Sequence, residues 1–362
     1  MLLADRQVNG IVLVWAVLLA FSAVMVGSAA IALDDHYLSR HLFYLGLGVV
    51  SFVLAFALPP VVWNKLYLLG WLGSVAVAVL VLVPGLGHEV NGATRWIRLG
   101  GFTLQAAEVA KLGLCIYLGG YLYRHGDKLR DDPGVLFLPL GMVSIVCLLL
   151  VAEPDLGSAV VIMAASVALL FIAGAKLRYF LLFALAGTAL LALLIWQAPY
   201  RLERLIAFMD PWSVQYGSGY QLTQALIAFG RGEVWGLGLG EGVQKLFYLP
   251  EAHTDFIFAV IAEELGMVGA IALTLVLSYL ILQIFALARR SIARERHFAG
   301  YLTYFFGLIL AIQLIVSLGV NTGVLPTKGL TLPFVSYGGN SLLVFCATLG
   351  IVLRTSLEPD RG

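Results

Sequence analysis

Hydrophobic residues in this chain fall into runs of about twenty, separated by short polar segments. A run of that length is what an α-helix needs to cross the hydrocarbon core of a bilayer. The runs predict ten helices, with approximate bounds 10–33, 42–58, 64–83, 104–123, 134–151, 156–174, 179–198, 255–288, 299–322 and 337–354. The pattern therefore predicts an all-α, polytopic integral membrane protein.

Composition supports the same class and excludes others. Hydrophobic residues make up 61% of the chain and charged residues 12%, against roughly 25% charged in a soluble domain. The net charge of +1 gives no bulk attraction to nucleic acid. Cys115, Cys147 and Cys346 lie within apolar runs, without the spacing of a metal site or a disulfide framework. With no internal repeat or separate soluble domain, residues 1–362 are expected to form one membrane domain.

The basic residues predict the orientation. If the N-terminus is cytoplasmic, thirteen Lys and Arg residues fall in inner segments and eight in outer ones. The positive-inside rule then places both termini in the cytoplasm. One outer loop, about 200–254, lies between the seventh and eighth helices and is too rich in aromatic and aliphatic residues to be disordered. Its stretch 220–229 has an apolar helical face, which predicts that it lies on the bilayer surface.

A polar stretch precedes the eighth helix and contains Glu251, His253, Thr254 and Asp255. Thr254 or Asp255 could serve as the helix N-cap. Alternatively, Asp255 is a carboxylate at the outer mouth of a helix bundle, where it could accept a proton as a general base. Glu251 and His253 are then either groups that orient or tune Asp255 or solvated loop residues.

Charged residues also occur inside predicted helices, where they are costly and indicate function by default. Glu108 and Lys111 are three residues apart and share a helical face. They form either a structural salt bridge or part of a polar cavity. Glu263 and Glu264 lie about two turns beyond Asp255, so at least one of them should face the bundle interior.

The outer segments also contain basic and aromatic residues that could bind a ligand. Arg95, Trp96 and Arg98, together with Arg231 and Lys245, could supply cationic hydrogen-bond donors and an aromatic stacking face. The alternative is that Trp96 is an interfacial anchor and that the arginines bind lipid headgroups.

Seven motifs, in order along nearly the whole chain, resemble the SEDS family (shape, elongation, division and sporulation proteins), most closely its RodA branch. They are NGATRWIRLG (91–100), QAAEVAK (105–111), EPDLGSA (153–159), DPW (210–212), GSGYQLTQALIAFGRG (217–232), EAHTDFIFAVIAEELG (251–266) and KGLTLPFVSYGG (328–339). The sequence departs from the family at Ala106-Ala107, where Pro-Ser is usual. Losing the proline near a helix start removes a fixed φ but no side-chain chemistry.

The resemblance implies a peptidoglycan glycosyltransferase that polymerises lipid II on the outer face of the bacterial cytoplasmic membrane. It implies a class B penicillin-binding protein as partner and, for the RodA branch, the elongation machinery that gives rod shape. It also implies that Asp255 is essential, and that Lys111 helps to hold pyrophosphate or shapes the cavity, with Glu108 as its partner. A lipid II flippase is the alternative, and a scaffold for the transpeptidase is a third. Residues that could act in catalysis are concentrated on the outer side, and the sequence shows no pair of broken helices in matching halves. Both observations favour an enzyme over a transporter.

A metal cofactor is not predicted. Glycosyltransferases often use a divalent ion such as Mg²⁺ or Mn²⁺ beside a diphosphate. This sequence has no His/Asp ligand spacing, and its few carboxylates argue weakly against a dedicated metal cage, so the need for a divalent ion stays open.

Overall fold

The computed structural model describes residues 5–33, 36–90, 93–99, 102–196, 203, 206–327 and 329–358. Lys328, which belongs to the last of the motifs, lies outside these ranges. The helices are α1 (Arg6–Ala29), α2 (His36–Ala57), α3 (Pro60–Lys65), α4 (Tyr67–Leu82), α5 (Ala106–His125), α6 (Pro133–Ala152), α7 (Leu156–Ile172), α8 (Leu177–Trp196), α9 (Tyr220–Gly232), α10 (Ile257–Ala293), α11 (His297–Asn321) and α12 (Gly339–Leu357).

The predicted fold class is confirmed, because the described chain is mostly helical and each predicted span overlaps a helix. Six of these helices, α1, α2, α6, α10, α11 and α12, are long and apolar enough to cross a membrane. Helices α4, α7 and α8 contain shorter apolar stretches. The number of crossings stays a prediction.

A small sheet that the all-α prediction did not include precedes α5. Strands β1 (Gly87–Val90), β2 (Ala93–Leu99) and β3 (Phe102–Gln105) are antiparallel, in the order β1-β2-β3. Trp96 pairs with His88 on one side and Gln105 on the other. The sequence contains Asn-Gly between the first two strands and Gly-Gly between the last two, both strong hairpin signals. The sheet lies where the sequence predicts an outer segment.

Helix α5 runs through the centre of the bundle and is buried along nearly all of its length. It packs against α4 where Gly70 and Gly113 meet, so closely that a methyl group on either would overlap the other's backbone. Small residues at such crossings are typical of membrane helices, because they let dispersion contacts form between backbones. Helix α11 packs against the opposite side of α5.

The apolar face of helix α9 packs against the rest of the protein and not, as the sequence predicted, against the bilayer surface. Its Leu222 is 1% exposed, and Phe229 packs against Phe258 of α10 with ring centroids 5.7 Å apart. The apolar face that predicted a membrane contact is therefore used to dock the outer loop onto α10.

Helix α10 is broken near its N-terminal end at Gly266, which has φ +67° and ψ −172°. The backbone groups freed by the break bond to the segment that follows α9. Leu237 and Gly238 donate to the carbonyls of Glu263 and Glu264, at 3.0 Å each, and the Met267 N–H donates to the Glu233 carbonyl at 3.0 Å. A break inside a membrane helix is tolerated when its polar groups find partners in this way. The continuous helix predicted for 255–288 is therefore wrong at this point.

Candidate functional site

The turn before α10 places Asp255 without using it as a helix cap. Thr254 Oγ1 donates to Glu251 Oε2 at 2.7 Å, and the Phe256 N–H donates to the Glu251 carbonyl at 3.1 Å. The helix begins at Ile257, and its N-cap position is Phe256. The interpretation of Thr254 or Asp255 as the N-cap is therefore wrong.

The first turn of α10 is capped from another helix by Asn321, at the end of α11. Asn321 Oδ1 accepts a hydrogen bond from the Ala259 N–H at 3.2 Å. Asn321 Nδ2 donates to the carbonyl oxygens of Asp255 and Ser317, each at 2.9 Å. The side chain of Asn321 is fully buried, and both of its polar atoms are satisfied.

The Asp255 side chain is half-buried and lies against the segment that leads to α12. A methyl group at Gly329 would lie 2.8 Å from Asp255 Oδ2. The same segment is tied to the Asp255 turn by a hydrogen bond of 2.9 Å from the Tyr337 N–H to the His253 carbonyl. Two of the motifs that carried the family resemblance therefore meet at this carboxylate.

His253 packs among aromatic rings beside Asp255. Its ring centroid lies 5.1 Å from that of Tyr37 and 5.4 Å from that of Tyr337. Burial lowers the pKa of His253, and nearby Glu251 opposes that shift. The lowered pKa favours the neutral imidazole at pH 7.

Glu108 and Lys111 form a buried ion pair on the first turns of α5. Lys111 Nζ lies 2.8 Å from Glu108 Oε1, and the two residues are 3% and 4% exposed. Lys111 also donates to Gln313 Oε1 at 3.0 Å and lies over the ring of Phe345, 5.4 Å from its centroid. Among described residues, Glu108 Oε2 has no hydrogen-bond partner. The predicted pairing of Glu108 with Lys111 is thus present, and it uses only one of the two carboxylate oxygens of Glu108.

Gln313 links this ion pair to the Asp255 region. While its Oε1 accepts from Lys111, its Nε2 donates to the Thr331 carbonyl at 2.8 Å. Thr331 is two residues beyond Gly329, the residue in contact with the Asp255 carboxylate. The structure therefore brings Glu108, Lys111, His253, Glu251 and Asp255 into one connected region.

Strand β2 carries Arg95, Trp96 and Arg98. Trp96 and Arg98 are two residues apart, so they share a face of the strand. Arg95 lies at an irregularity in the pairing of β1 with β2, where His88 pairs with Trp96 and Glu89 with Thr94. Arg95 Nη2 donates to the Pro154 carbonyl at 2.5 Å, which ties the sheet to the α6–α7 turn. A role of these three residues in binding substrate stays a prediction.

The α6–α7 turn contains a buried acid that the sequence analysis did not single out. Asp155 caps α7 by accepting from the Ser158 N–H at 3.2 Å. Glu153 is 1% exposed, and neither carboxylate oxygen has a partner in the described chain. Burial raises the pKa of Glu153 to about 8, with Asp155 raising it and Arg95 lowering it.

Lys245 lies in a different cluster, at the break of α10. Its Nζ bonds to Glu264 Oε1 at 2.5 Å, Ser28 Oγ at 2.8 Å and the Gly240 carbonyl at 2.7 Å, and the residue is 3% exposed. Glu263 accepts from the Val243 and Gln244 N–H groups at 3.1 Å each and pairs with Arg231 at 3.0 Å. Lys245 thus has all three of its donors occupied inside the protein, and its predicted role as a phosphate donor does not fit this burial.

Three residues in or beside the site were missed. Gln313 and Asn321 are polar residues eight positions apart in an otherwise apolar helix, so they share a face of α11. That spacing was the available signal. Glu153 had no such signal, because its burial depends on the packing of the sheet. Within the ranges that the structure describes, no group of three or more His, Cys, Asp or Glu side chains is placed to hold a metal ion.

The fold and the site define a multi-pass membrane protein with a carboxylate at one mouth of its bundle and a buried ion pair connected to it. Residues 8–360 match the FtsW/RodA/SpoVE family, described as cell cycle proteins. The chain belongs to this family, which is the SEDS family that the motifs indicated.

Relatives and solved structures agree with this membership. The chain is 45% identical to the probable peptidoglycan glycosyltransferase FtsW of Saccharophagus degradans, covering 96% of this chain and 91% of the relative. It is 46% identical to the probable peptidoglycan glycosyltransferase FtsW of Coxiella burnetii, covering 95% of this chain and 94% of the relative. A peptidoglycan synthase complex that coordinates polymerization and crosslinking contains a chain with TM-score 0.79 and 31% identity, over 96% and 97%. The structure of the rod shape determining protein RodA of Thermus thermophilus matches with TM-score 0.73 and 31% sequence identity, covering 98% of this chain and 97% of that chain.

Proposed function

We propose that this chain is a peptidoglycan glycosyltransferase that polymerises lipid II on the outer face of the cytoplasmic membrane. The names of the relatives support the enzyme class. The substrate and the side of the membrane follow from the family and from the predicted orientation, in which the turn of Asp255 faces outward.

In the reaction, a hydroxyl of one lipid-linked saccharide attacks the anomeric carbon of another. A new glycosidic bond forms, the bond to the pyrophosphate oxygen breaks, and the lipid pyrophosphate leaves with the bonding electrons. A general base must take the hydroxyl proton, and positive charge must stabilise the leaving group. We assign the first task to Asp255. Lys111, connected to Asp255 through Gln313, is our candidate for the second.

The observation that carries this proposal is the placement of the Asp255 carboxylate. It is half-buried beside Gly329, where a methyl group would lie 2.8 Å from its Oδ2. Two motifs of the family therefore meet at this acid, directly before the first turn of α10. A carboxylate in that position fits the base that the reaction needs.

We favour a role in cell division over the role in elongation that the RodA resemblance implied. The relatives at 45% and 46% identity carry the name FtsW, whereas the solved RodA is 31% identical. The partner that fits is a class B penicillin-binding protein, since the complex described above coordinates polymerization with crosslinking.

The test is polymerisation by the purified protein in detergent, with its transpeptidase partner and lipid II. Detergent removes the two-sided membrane, so an enzyme still lengthens glycan while a flippase has nothing to do. We expect glycan strands that lengthen with time. A folded parent protein that makes no polymer with its partner present would reject the enzyme and favour the flippase.

A further inference from the structure

The start of α10 is held both by its own chain and by a distant helix. The first four N–H groups of a helix lack the usual partner four residues earlier. Phe256 occupies the N-cap position without a side-chain cap, and its carbonyl accepts from the Ala259 N–H at 3.0 Å. The same N–H also donates to Asn321 Oδ1 at 3.2 Å, sixty-two residues away in sequence.

The hydrogen bonds of Asn321 fix which way its amide points. Its oxygen faces an N–H donor at Ala259, and its nitrogen faces two carbonyl acceptors, at Asp255 and Ser317. The opposite orientation would set a donor against a donor and the oxygen against two oxygens. A buried amide with both polar atoms satisfied is held rigidly, since turning it would leave its own oxygen and nitrogen without partners.

One side chain therefore performs two tasks at the candidate base. It gives the Ala259 N–H a second acceptor, and it anchors the Asp255 backbone to α11. Through α11 the anchor reaches Gln313, which lies two turns away on the same face and bonds to Lys111. The backbone of Asp255 and the ammonium of Lys111 are thus both held by the same helix.

We propose that Asn321 is a positioning residue for the reaction, which holds the backbone of Asp255 against α11 and so fixes where its carboxylate meets the substrate. This inference rests on the proposed function and adds a residue to that site. Asn321 contacts no reacting atom. It acts through Asp255, so its loss affects the chemical step more than the affinity for substrate.

The test compares Asn321→Leu with Ser317→Ala in the polymerisation assay with lipid II, in the full chain with its partner. Ser317 is the matched control, because it is buried one turn earlier on α11 and its Oγ has no partner in the described structure. We expect Asn321→Leu to lower kcat by at least about tenfold with little change in KM, since a small misplacement of a reacting group costs up to about 10²-fold. Ser317→Ala should keep kcat within about twofold of the parent.

Asn321→Ser keeps the inference testable if the leucine variant does not fold. A serine in a helix can donate its hydroxyl to the carbonyl four residues earlier, here that of Ser317, which already accepts from Asn321. It lacks the amide donor to the Asp255 carbonyl, so we expect it to fold and to turn over slowly. A folded variant of either kind with kcat like that of Ser317→Ala would overturn the inference. The parent's own activity separates this outcome from a failure of the proposed function.

Discussion

At the scale of residues, the bundle contains more buried charge than structure alone requires. The Glu108–Lys111 pair lies on the central helix with one unused carboxylate oxygen. Replacing a buried pair by apolar residues is often neutral, whereas removing one partner costs about 3–5 kcal/mol. The pair therefore gives a direct way to separate structure from catalysis.

We expect Glu108→Leu and Lys111→Leu each to destabilise the protein by several kcal/mol, because each leaves an uncompensated charge. The double variant should regain thermal stability in detergent and still fail to polymerise lipid II. Full activity of a stable double variant would show that the pair is structural only.

Glu153 predicts a dependence of stability on pH. Its pKa is raised from 4.5 in the unfolded chain to about 8 in the folded protein. Between these values the folded state binds more protons than the unfolded state, so stability falls as pH rises from about 4.5 to 8. The full loss is on the order of a few kcal/mol, at about 1.4 kcal/mol per pKa unit.

The measurement is the melting temperature across this pH range, for the parent and for Glu153→Gln. The glutamine variant should show a shallower fall, because it cannot ionise. Parallel curves for the two proteins would mean that Glu153 does not titrate in this window.

The sequence was enough to choose candidate site residues, but it did not show which residues they contact in the folded protein. Asp255, Glu108 and Lys111 could be chosen because charge inside or beside an apolar run is costly. The burial of Lys245 could not, since its partners Ser28 and Glu264 come from distant parts of the chain. The irregular pairing at Arg95 could not be predicted either, since it depends on how β1 and β2 meet.

At the scale of elements, hydropathy located the helices but not the sheet or the break in α10. The length of an apolar run indicates whether a helix can cross lipid, and it says little about a short hairpin. The Asn91-Gly92 pair was a sequence signal for the turn of that hairpin. The break at Gly266 depends on hydrogen bonds from the segment 233–238. A glycine within an apolar run does not reveal such a partner.

We expect Gly266→Ala to destabilise the protein, because the positive φ disfavours any side chain and a methyl group there would meet the backbone of Val234, Trp235 and Gly236. The cost should exceed about 2 kcal/mol in chemical unfolding. Gly141→Ala in α6 is the control, since no atom lies within 4 Å of the added methyl group. It should be neutral or slightly stabilising. Equal stability of the two variants would contradict the described break.

At the scale of the whole molecule, the sequence analysis predicted the helical membrane fold, the SEDS family and the glycosyltransferase class. Its placement of the chain closest to the RodA branch is not confirmed. Nearly complete coverage of the FtsW relatives makes the family clear. Branch and partner depend on surface differences that hydropathy and motifs do not report. The orientation across the membrane also stays a prediction.

Orientation can be tested by single cysteines at two exposed arginines, in a background without the three native cysteines. An impermeant thiol reagent on intact spheroplasts should label Arg98→Cys in the outer sheet and not Arg294→Cys after α10. Permeabilised cells should show both sites labelled. The reverse pattern in intact cells would place the Asp255 turn in the cytoplasm and remove the proposed substrate side.

The most direct test of the account is the rate of glycan synthesis by Asp255→Asn. Asparagine keeps the shape of the side chain, and the bond from Asn321 to the 255 carbonyl does not depend on that side chain. The variant should therefore fold and bind its partner like Asp131→Asn, an exposed control after α5. We predict a loss of about 10²–10⁴ in polymerisation rate, as expected for a missing general base. A well-folded Asp255→Asn protein that polymerises lipid II at the rate of the control would contradict the assignment of Asp255 as the base.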